Sequence, residues 1–226
     1  MKGLFYSAWE ELGRMYRAMG GNPAFLILEI ALFALNARNM VKNSGMLWGT
    51  FVIFILPVAW GLYALLRWLS GGEIVLERSA GRAPWSTMGG KALAWLVCLS
   101  AAEALRQLVT WQGAIKDPER ISWALRNGEK IFTLEDAAPV LGWKPYLVIV
   151  SACLLLLMSF TLMYFIMRGE KGHRLCAGER TMAALLLCAI LIIPWYLGLL
   201  PPWPILPILV PPVLWLCCLA LEFWEN

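Results

Sequence analysis

The chain has 226 residues, of which 60% are hydrophobic and 15% charged, so its composition excludes an ordinary soluble domain. A mean hydropathy of +0.66 fits an all-α polytopic bundle of transmembrane helices forming a single membrane domain, with roughly 20 apolar residues in each span. The net charge of +4 comes from short basic clusters between apolar runs. Nucleic-acid binding is therefore excluded, because it requires a continuous basic surface.

The first 22 residues predict an amphipathic helix and not a removable signal peptide. Charged side chains such as Glu10 and Arg14 stand where a signal peptide has its apolar core. The apolar side chains recur at helical spacing, at Phe5, Ala8, Trp9, Leu12, Met15, Tyr16 and Met19. We expect residues 1–22 to form a helix in the membrane interface, ended by a Gly-Gly-Asn-Pro break.

Two apolar runs follow this helix. The first, residues 24–40, carries Glu29 near its middle and crosses the bilayer only if its polar end is included. The second, residues 46–69, is long enough to cross at a tilt, and Pro57 predicts a kink in it. If residues 24–40 only dip into the bilayer, the chain has five spans and not six, and the N-terminus changes sides.

A polar, glycine-rich segment separates the second span from the third. Residues 71–90 predict a loop with room for one short helix, and their charged side chains include Glu73, Glu77, Arg78 and Arg82. The third span, residues 91–111, carries Glu103 and Arg106 on one helical face, where the two charges can neutralise each other. A structural pair and a role in transport are both compatible with this spacing.

Residues 113–144, hereafter the cap segment, form the largest piece outside the predicted spans. Asp117 as N-cap and Pro118 in the first turn predict a short helix within it, resting on the outside of the bundle. Three more spans are expected at residues 145–167, 182–200 and 203–224. Six prolines between residues 201 and 212 exclude an ordinary continuous helix at the start of the last one.

The distribution of Lys and Arg sets the expected orientation. With six spans, more of these residues fall on the side of the N-terminus, which places both termini in the cytoplasm. Tryptophans near the span ends, such as Trp68 and Trp111, are typical of interfacial anchors. We therefore expect a multi-pass protein of the cell (inner) membrane, surrounded by membrane lipid.

The sequence has no pattern typical of catalysis, metal binding or nucleotide binding. His173 is the only histidine, and five of the six cysteines fall in apolar runs, so no zinc, haem or histidine-activated nucleophile is indicated. We expect no cofactor and no enzymatic activity. The polar candidates inside the membrane are Glu29, Glu103 and Arg106, because a charge there costs at least a few kcal/mol.

The order of these elements resembles the permease subunits of ABC-2 transporters. In that family an interfacial helix leads, often through an Asn-Pro such as Asn22-Pro23, into six spans. The loop after the second span then carries an acidic stretch, a Glu-Arg and a Gly-Lys, and here these positions are Glu73, Glu77, Arg78, Gly81, Gly90 and Lys91. The proline-broken segment before the last span is similar to the family's re-entrant external hairpin.

The resemblance implies a permease without its own ATPase, working as a homo- or heterodimer and exporting an amphipathic or lipid-like substrate. A separate ATP-binding subunit would dock on a coupling loop that includes Glu73, Glu77, Arg78, Arg82 and Lys91. A second hypothesis is a non-catalytic scaffold or accessory subunit of a larger membrane complex, with the cap segment as its contact surface. A third, an intramembrane enzyme, has no supporting cluster of residues.

Overall fold

A computed structural model shows a bundle of α-helices. It describes residues 2–18, 20–44, 50–70, 73–115, 117–128, 131–168 and 204–223. The predicted span at residues 182–200 and His173 lie outside the described residues.

The described helices follow the apolar runs of the sequence. They are α1 (Lys2–Ala18), α2 (Pro23–Ser44), α3 (Val52–Ser70), α4 (Glu73–Ser79), α5 (Pro84–Gly113), α6 (Pro118–Arg126), α7 (Leu134–Ala137), α8 (Trp143–Arg168) and α9 (Ile205–Phe223). A 3-10 turn, Ala138–Val140, follows α7 directly. In the cap segment, the side chain of Asp117 accepts a hydrogen bond from the backbone N–H of Glu119, so the predicted N-cap of α6 is confirmed.

Five helices in the described part are long and apolar enough to cross a membrane: Pro23–Val41, Val52–Ser70, Pro84–Gly113, Trp143–Phe165 and Ile205–Glu222. The chain is therefore a membrane-embedded helical protein, as its composition predicts. The total of six spans stays a prediction, because residues 182–200 are not among the described ones.

Helix α5 is the central element of the bundle and packs against α1, α2, α3, α8 and α9. It begins at Pro84, seven residues before the start expected for the third span, because proline suits the first turn of a helix. Its 30 residues extend over about 45 Å, more than the roughly 30 Å of bilayer hydrocarbon. Residues 84–90, expected in a loop, are therefore the first two turns of α5.

Helix α2 lies at the edge of the bundle. Only 11% of its spanning window is buried, against 44% for α3, α5 and α8. Its outer face is apolar, with Phe25, Ile27 and Leu28 more than half exposed. Lipid is the solvent that suits such a face.

The bundle has two ends, which its contacts define. At the α1 end, α1 packs on the first turns of α5, and Trp68 of α3 lies against Lys91. At the cap end, Val41 of α2 reaches the last residue of α5, Gly113, and the cap segment covers this region. Helices α2 and α5 thus run from the α1 end to the cap end, and α3 runs back.

Candidate functional site

A close helix contact brings α1 to the beginning of α5. A Cβ atom added to Gly90 would lie 2.5 Å from the Cβ of Ser7 and 2.9 Å from the backbone nitrogen of Ala8. Glycine is therefore required at this position, because any larger residue would push α1 away. The hydroxyl of Ser7 donates to the carbonyl of Thr87 at 3.3 Å and reinforces the contact.

Behind this contact lies a buried ion pair between Lys91 and Glu11. Both side chains are fully buried, and Nζ of Lys91 donates to Oε2 of Glu11 at 2.8 Å. The ammonium also lies 4.1 Å from the ring centroid of Trp68, close enough for a cation–π contact. Each charge supplies the counter-charge that the other needs once water is excluded. The second oxygen of Glu11, Oε1, has no hydrogen-bond partner within the part of the chain that the structure describes.

Arg14 of α1 connects three carboxylates from two helices. Its Nη1 donates to Oε2 of Glu11 at 3.0 Å, and its Nη2 donates to Oε1 of Glu77 at 2.5 Å. Its Nε lies 2.8 Å from Oε2 of Glu73. A planar guanidinium with five donors suits such a position better than an ammonium. Arg14 therefore ties α1 to α4.

Two further contacts extend this group of charges. Glu77 accepts a hydrogen bond from the indole nitrogen of Trp68 at 3.0 Å, which joins α4 to α3. Arg82 donates to Glu10 at 2.5 Å, and its Nη1 lies 3.7 Å from Glu77. The whole set, hereafter the α1-end cluster, consists of Glu10, Glu11, Arg14, Glu73, Glu77, Arg82 and Lys91. A cavity of about 240 Å³ opens between its members on α1 and α4.

The acidic members on α1 are held in their charged form. Arg82 donates a hydrogen bond to Glu10 and lowers the pKa of that carboxyl. Burial alone would raise the pKa of Glu11, but the charges of Lys91 and Arg14 outweigh burial, so this pKa also lies below its ordinary value. Burial opposes the charge of Arg14, yet Glu77 and Glu11 raise its pKa. Glu10, Glu11 and Arg14 are therefore charged at neutral pH.

The structure brings together four of the five residues expected in the coupling loop. Three of them, Glu73, Glu77 and Arg82, lie around Arg14 and Glu10. The fourth, Lys91, is a fully buried residue near the beginning of α5. The side chain of Arg78 lies outside the described residues. Because Lys91 is fully buried, its ammonium bonds within the chain and has no surface to offer a separate subunit.

The partners from α1 are the part that sequence reasoning missed. The sequence places Glu10, Glu11 and Arg14 on the charged side of an amphipathic helix, and no pattern in it connects them with α4 or α5. The i, i+3 spacing of Glu11 and Arg14 was the available signal, since these side chains do bond to each other in the structure.

A second charged group, hereafter the cap-end pair, lies 15 residues further along α5. Arg106 binds Glu103 through two hydrogen bonds, each 2.6 Å long, and both side chains are fully buried. One of the two donating nitrogens of Arg106, Nη2, also donates to the backbone carbonyl of Val140 in the cap segment at 2.8 Å. The remaining nitrogen of Arg106, Nη1, is buried and has no hydrogen-bond partner among the residues that the structure describes.

Gln107 completes the attachment of the cap segment to α5. Its amide donates to Glu103 at 2.9 Å and to the carbonyl of Gly142 at 3.0 Å, and its oxygen accepts from the N–H of Gly142 at 3.3 Å. A small apolar group, Val41, Ala114, Phe132 and Ala137, packs beside it. For Glu103 and Arg106, this geometry favours a structural pair over a role in transport.

Glu29, the third candidate inside the membrane, belongs to neither group. Its side chain is partly buried on α2, and Oε2 is shielded from solvent and has no hydrogen-bond partner among the described residues. A cavity of about 310 Å³ with an almost wholly apolar lining lies between α2, α3 and α5, and Glu29 is not one of its lining residues.

Comparison of the chain with protein-family models, with curated proteins and with solved structures gives no match. Among the described residues, no group of three or more His, Cys, Asp or Glu side chains is arranged to hold a metal ion. The function is therefore inferred from the geometry of this chain alone.

Proposed function

We propose that the chain is the membrane-spanning permease subunit of an ABC-type transporter, driven by a separate ATPase subunit. The observation that carries this proposal is the α1-end cluster. Its ion pairs attach α1 and α4, two short elements at one end of the bundle, to the first turns of the central helix α5. A partner that moves α1 or α4 would therefore move α5 with them.

Helix α4 offers a surface for that partner. Its charged side chains Glu73 and Glu77 turn toward α1, whereas Val75 and Leu76 are 51% and 68% exposed. Exposed apolar side chains on a short helix outside the spans are suited to a hydrophobic groove of another protein. We assign the contact with the ATPase to this side of α4.

The same proposal fixes the orientation. Helix α1 lies in the cytoplasmic interface of the cell membrane, with Phe5 and Trp9, 62% and 75% exposed, turned toward lipid. Six spans then place both termini in the cytoplasm and the cap segment outside. The permease works as a dimer that moves an amphipathic or lipid-like substrate.

Affinity purification in a mild detergent tests the proposal. The wild-type chain should recover an ATP-hydrolysing subunit, and Leu76→Glu should lose it, because a charge on the docking side of α4 opposes burial. Trp123→Glu, at an apolar residue of the cap segment that is 58% exposed, against 68% for Leu76, is the control and should retain the ATPase. If no ATPase is recovered by the wild type, the proposal is wrong.

The second candidate function is a non-catalytic membrane scaffold. The observation in its favour is the exposure of two large apolar side chains on α6, Trp123 and Leu125, which are 58% and 68% exposed. Under this alternative, the same purification gives the opposite result. Trp123→Glu would lose the partner and Leu76→Glu would keep it.

A further inference from the structure

We propose that two copies of the chain pair through the outer face of α2, along a row of side chains hereafter called the α2 seam. The seam consists of Phe25, Leu28, Leu32, Leu35 and Asn39. The proposal deepens the proposed function, on which it rests in taking the chain as one half of a dimer, by naming the surface where the halves meet. Pairing of the chain with itself needs no ATPase, so the seam can be tested apart from the transporter.

The seam follows the repeat that packs one helix along another. Its members alternate between a spacing of three and a spacing of four residues, an average of about 3.5. Because an α-helix has about 3.6 residues per turn, this spacing keeps the side chains on one narrow stripe along the helix. Membrane helices that pair at a small crossing angle use the same repeat.

The whole seam is turned away from the other described helices. Its four apolar members are between 52% and 57% exposed, and Asn39 is exposed as well. The opposite side of α2 faces its own bundle, since Ala37 and Val41 are fully buried and Phe33 lines the cavity between α2, α3 and α5. The seam is therefore a free surface of the described part of the chain.

Two amide side chains on this face favour a protein partner over lipid. Asn39 belongs to the seam, and Asn36 lies beside it. Both are exposed, and neither side chain forms a hydrogen bond with another described residue. Asn36 lies five residues, about 8 Å, inside the end of the spanning window at Val41. Hydrocarbon offers such an amide no hydrogen-bond partner, whereas asparagines of neighbouring spanning helices bond to each other.

A second copy of the chain supplies the matching surface. Both copies insert in the same orientation, so their α2 helices are parallel, and in a parallel pair each seam residue meets its own counterpart. Asn39 then lies opposite the same residue of the other copy, where one amide donates and the other accepts. Both charged residues of the spanning window, Glu29 and Arg38, lie outside the seam, so like charges are not brought face to face. The seam is thus complementary to itself.

Oxidative cross-linking in native membranes tests the seam. Single cysteines replace its four apolar members, as Phe25→Cys, Leu28→Cys, Leu32→Cys and Leu35→Cys. Each variant should give a disulfide-linked dimer, and mass spectrometry of the digested dimer should show the new cysteine joined to itself. The wild-type chain, with its six native cysteines, gives the background.

Two positions on the same helix are the matched controls. Ile27 and Ala31 are both exposed on α2 but lie outside the seam. Ile27→Cys and Ala31→Cys should therefore give no more dimer than the wild type. Cross-linking that follows the seam separates a defined helix pair from random collision in the bilayer, which would link every exposed position.

A double variant tests the two amides. Asn36→Leu with Asn39→Leu removes both amides and leaves an apolar surface in their place. Energy transfer between differently labelled copies in phospholipid vesicles should show a dimer dissociation constant raised by about five- to thirtyfold, because the hydrogen bonds between the helices are lost. Gln112→Leu, at an exposed amide of α5, is the control and should leave the dissociation constant unchanged.

Equal cross-linking at seam and control positions, or none above the background, would overturn the proposal and leave lipid or a helix of another protein as the cover of α2. An unchanged dissociation constant in the double variant would also overturn it. Thermal unfolding checks that each variant is folded, and the remaining seam positions decide the result if one cysteine variant is unstable. Seam cross-linking without a recovered ATPase would reject the transporter and keep the α2 dimer. Recovery of an ATPase without seam cross-linking would do the reverse.

Discussion

The two buried charged groups of α5 each neutralise a cation that is removed from water, but they do so with different numbers of partners. Lys91 and Arg106 are 15 residues, or about 22 Å, apart on one helix, and both are fully buried. At the α1 end, the carboxylates and cations share partners, since Arg14 alone contacts Glu11, Glu73 and Glu77. At the cap end, Arg106 has Glu103 as its one carboxylate partner among the described residues.

This difference has consequences for stability and for movement. In a network, the loss of one charge leaves the remaining groups with other partners, whereas the loss of one member of an exclusive pair leaves a bare charge. The α1-end cluster also reaches the surface through Glu73, which is 32% exposed, while the cap-end pair is sealed. The charges of the α1-end cluster are thus suited to exchange partners during a movement, whereas the cap-end pair is suited to keep the cap segment fixed to α5.

The largest effect is expected at the cap-end pair. Glu103→Gln should lower the free energy of unfolding by about 3–5 kcal/mol, because it leaves Arg106 charged, buried and without a carboxylate. Chemical unfolding in mixed detergent micelles measures the loss, with Glu119→Gln on the exposed cap segment as the control.

The double variant Glu103→Leu with Arg106→Leu separates charge from packing. Replacing both members should recover most of the lost stability, since no charge is then left unpaired. A double variant as unstable as Glu103→Gln would show that the pair stabilises the bundle by its shape and not by mutual neutralisation.

The next largest effect is expected at the contact between α1 and α5. Gly90→Val should cost about 2–3 kcal/mol, because its side chain would overlap Ser7 and the backbone of Ala8. Trypsin cleavage after Arg17 should become faster as α1 leaves the bundle. Gly13→Ala, whose Cβ would lie 3.8 Å from the nearest atom, is the matched glycine control and should not be destabilised. Equal cleavage rates in the two variants would contradict the close contact.

A smaller loss is expected for a charge in the network. Lys91→Met should cost about 2 kcal/mol, the value of a hydrogen bond to a charged group, because Glu11 keeps its bond from Arg14. Unfolding under the conditions used for Glu103→Gln gives the comparison, and Lys144→Met, at an exposed lysine, serves as reference. A loss equal to that of Glu103→Gln would mean that the α1-end cluster does not share its charges.

Acid should loosen the α1 end gradually. The folded-state pKa values of Glu10 and Glu11 lie below the ordinary 4.5, so their ion pairs contribute stability above that pH. This contribution is lost as the pH falls through the lowered values. Hydrogen exchange of the α1 amides, corrected for the intrinsic rate, should show weaker protection at pH 3 than at pH 6. Glu10→Gln should remove part of this change, and constant protection in the wild type would refute the assignment.

Several helices could be predicted because their signals are local. Long apolar runs predict the spans α3 and α8, and Asp117 before Pro118 marks the start of α6. The exclusion of a continuous helix from the proline segment is wrong, because α9 begins at Ile205 and includes Pro211 and Pro212. The sequence predicts the start of α5 seven residues too late, at residue 91 and not at Pro84, because Gly89 and Gly90 are typical of a loop. In the structure, Gly90 is a helical residue that lets α1 approach.

Sequence patterns identify only about half of the candidate site. They mark four charges at the edge of a span, which are Glu73, Glu77, Arg82 and Lys91. Their partners on α1 are 59 to 80 residues away in sequence, and no local pattern connects them. The apolar cavity between α2, α3 and α5 is likewise formed by three helices, so one helix alone could not reveal it.

The sequence by itself determined the solvent of this protein and the rough extent of its helices, because hydrophobicity and helix-start signals act over neighbouring residues. Only the tertiary structure decided which charges neutralise each other. The physical reason is that the stability of a buried charge depends on what lies within a few ångströms of it, and those neighbours come from distant parts of the chain.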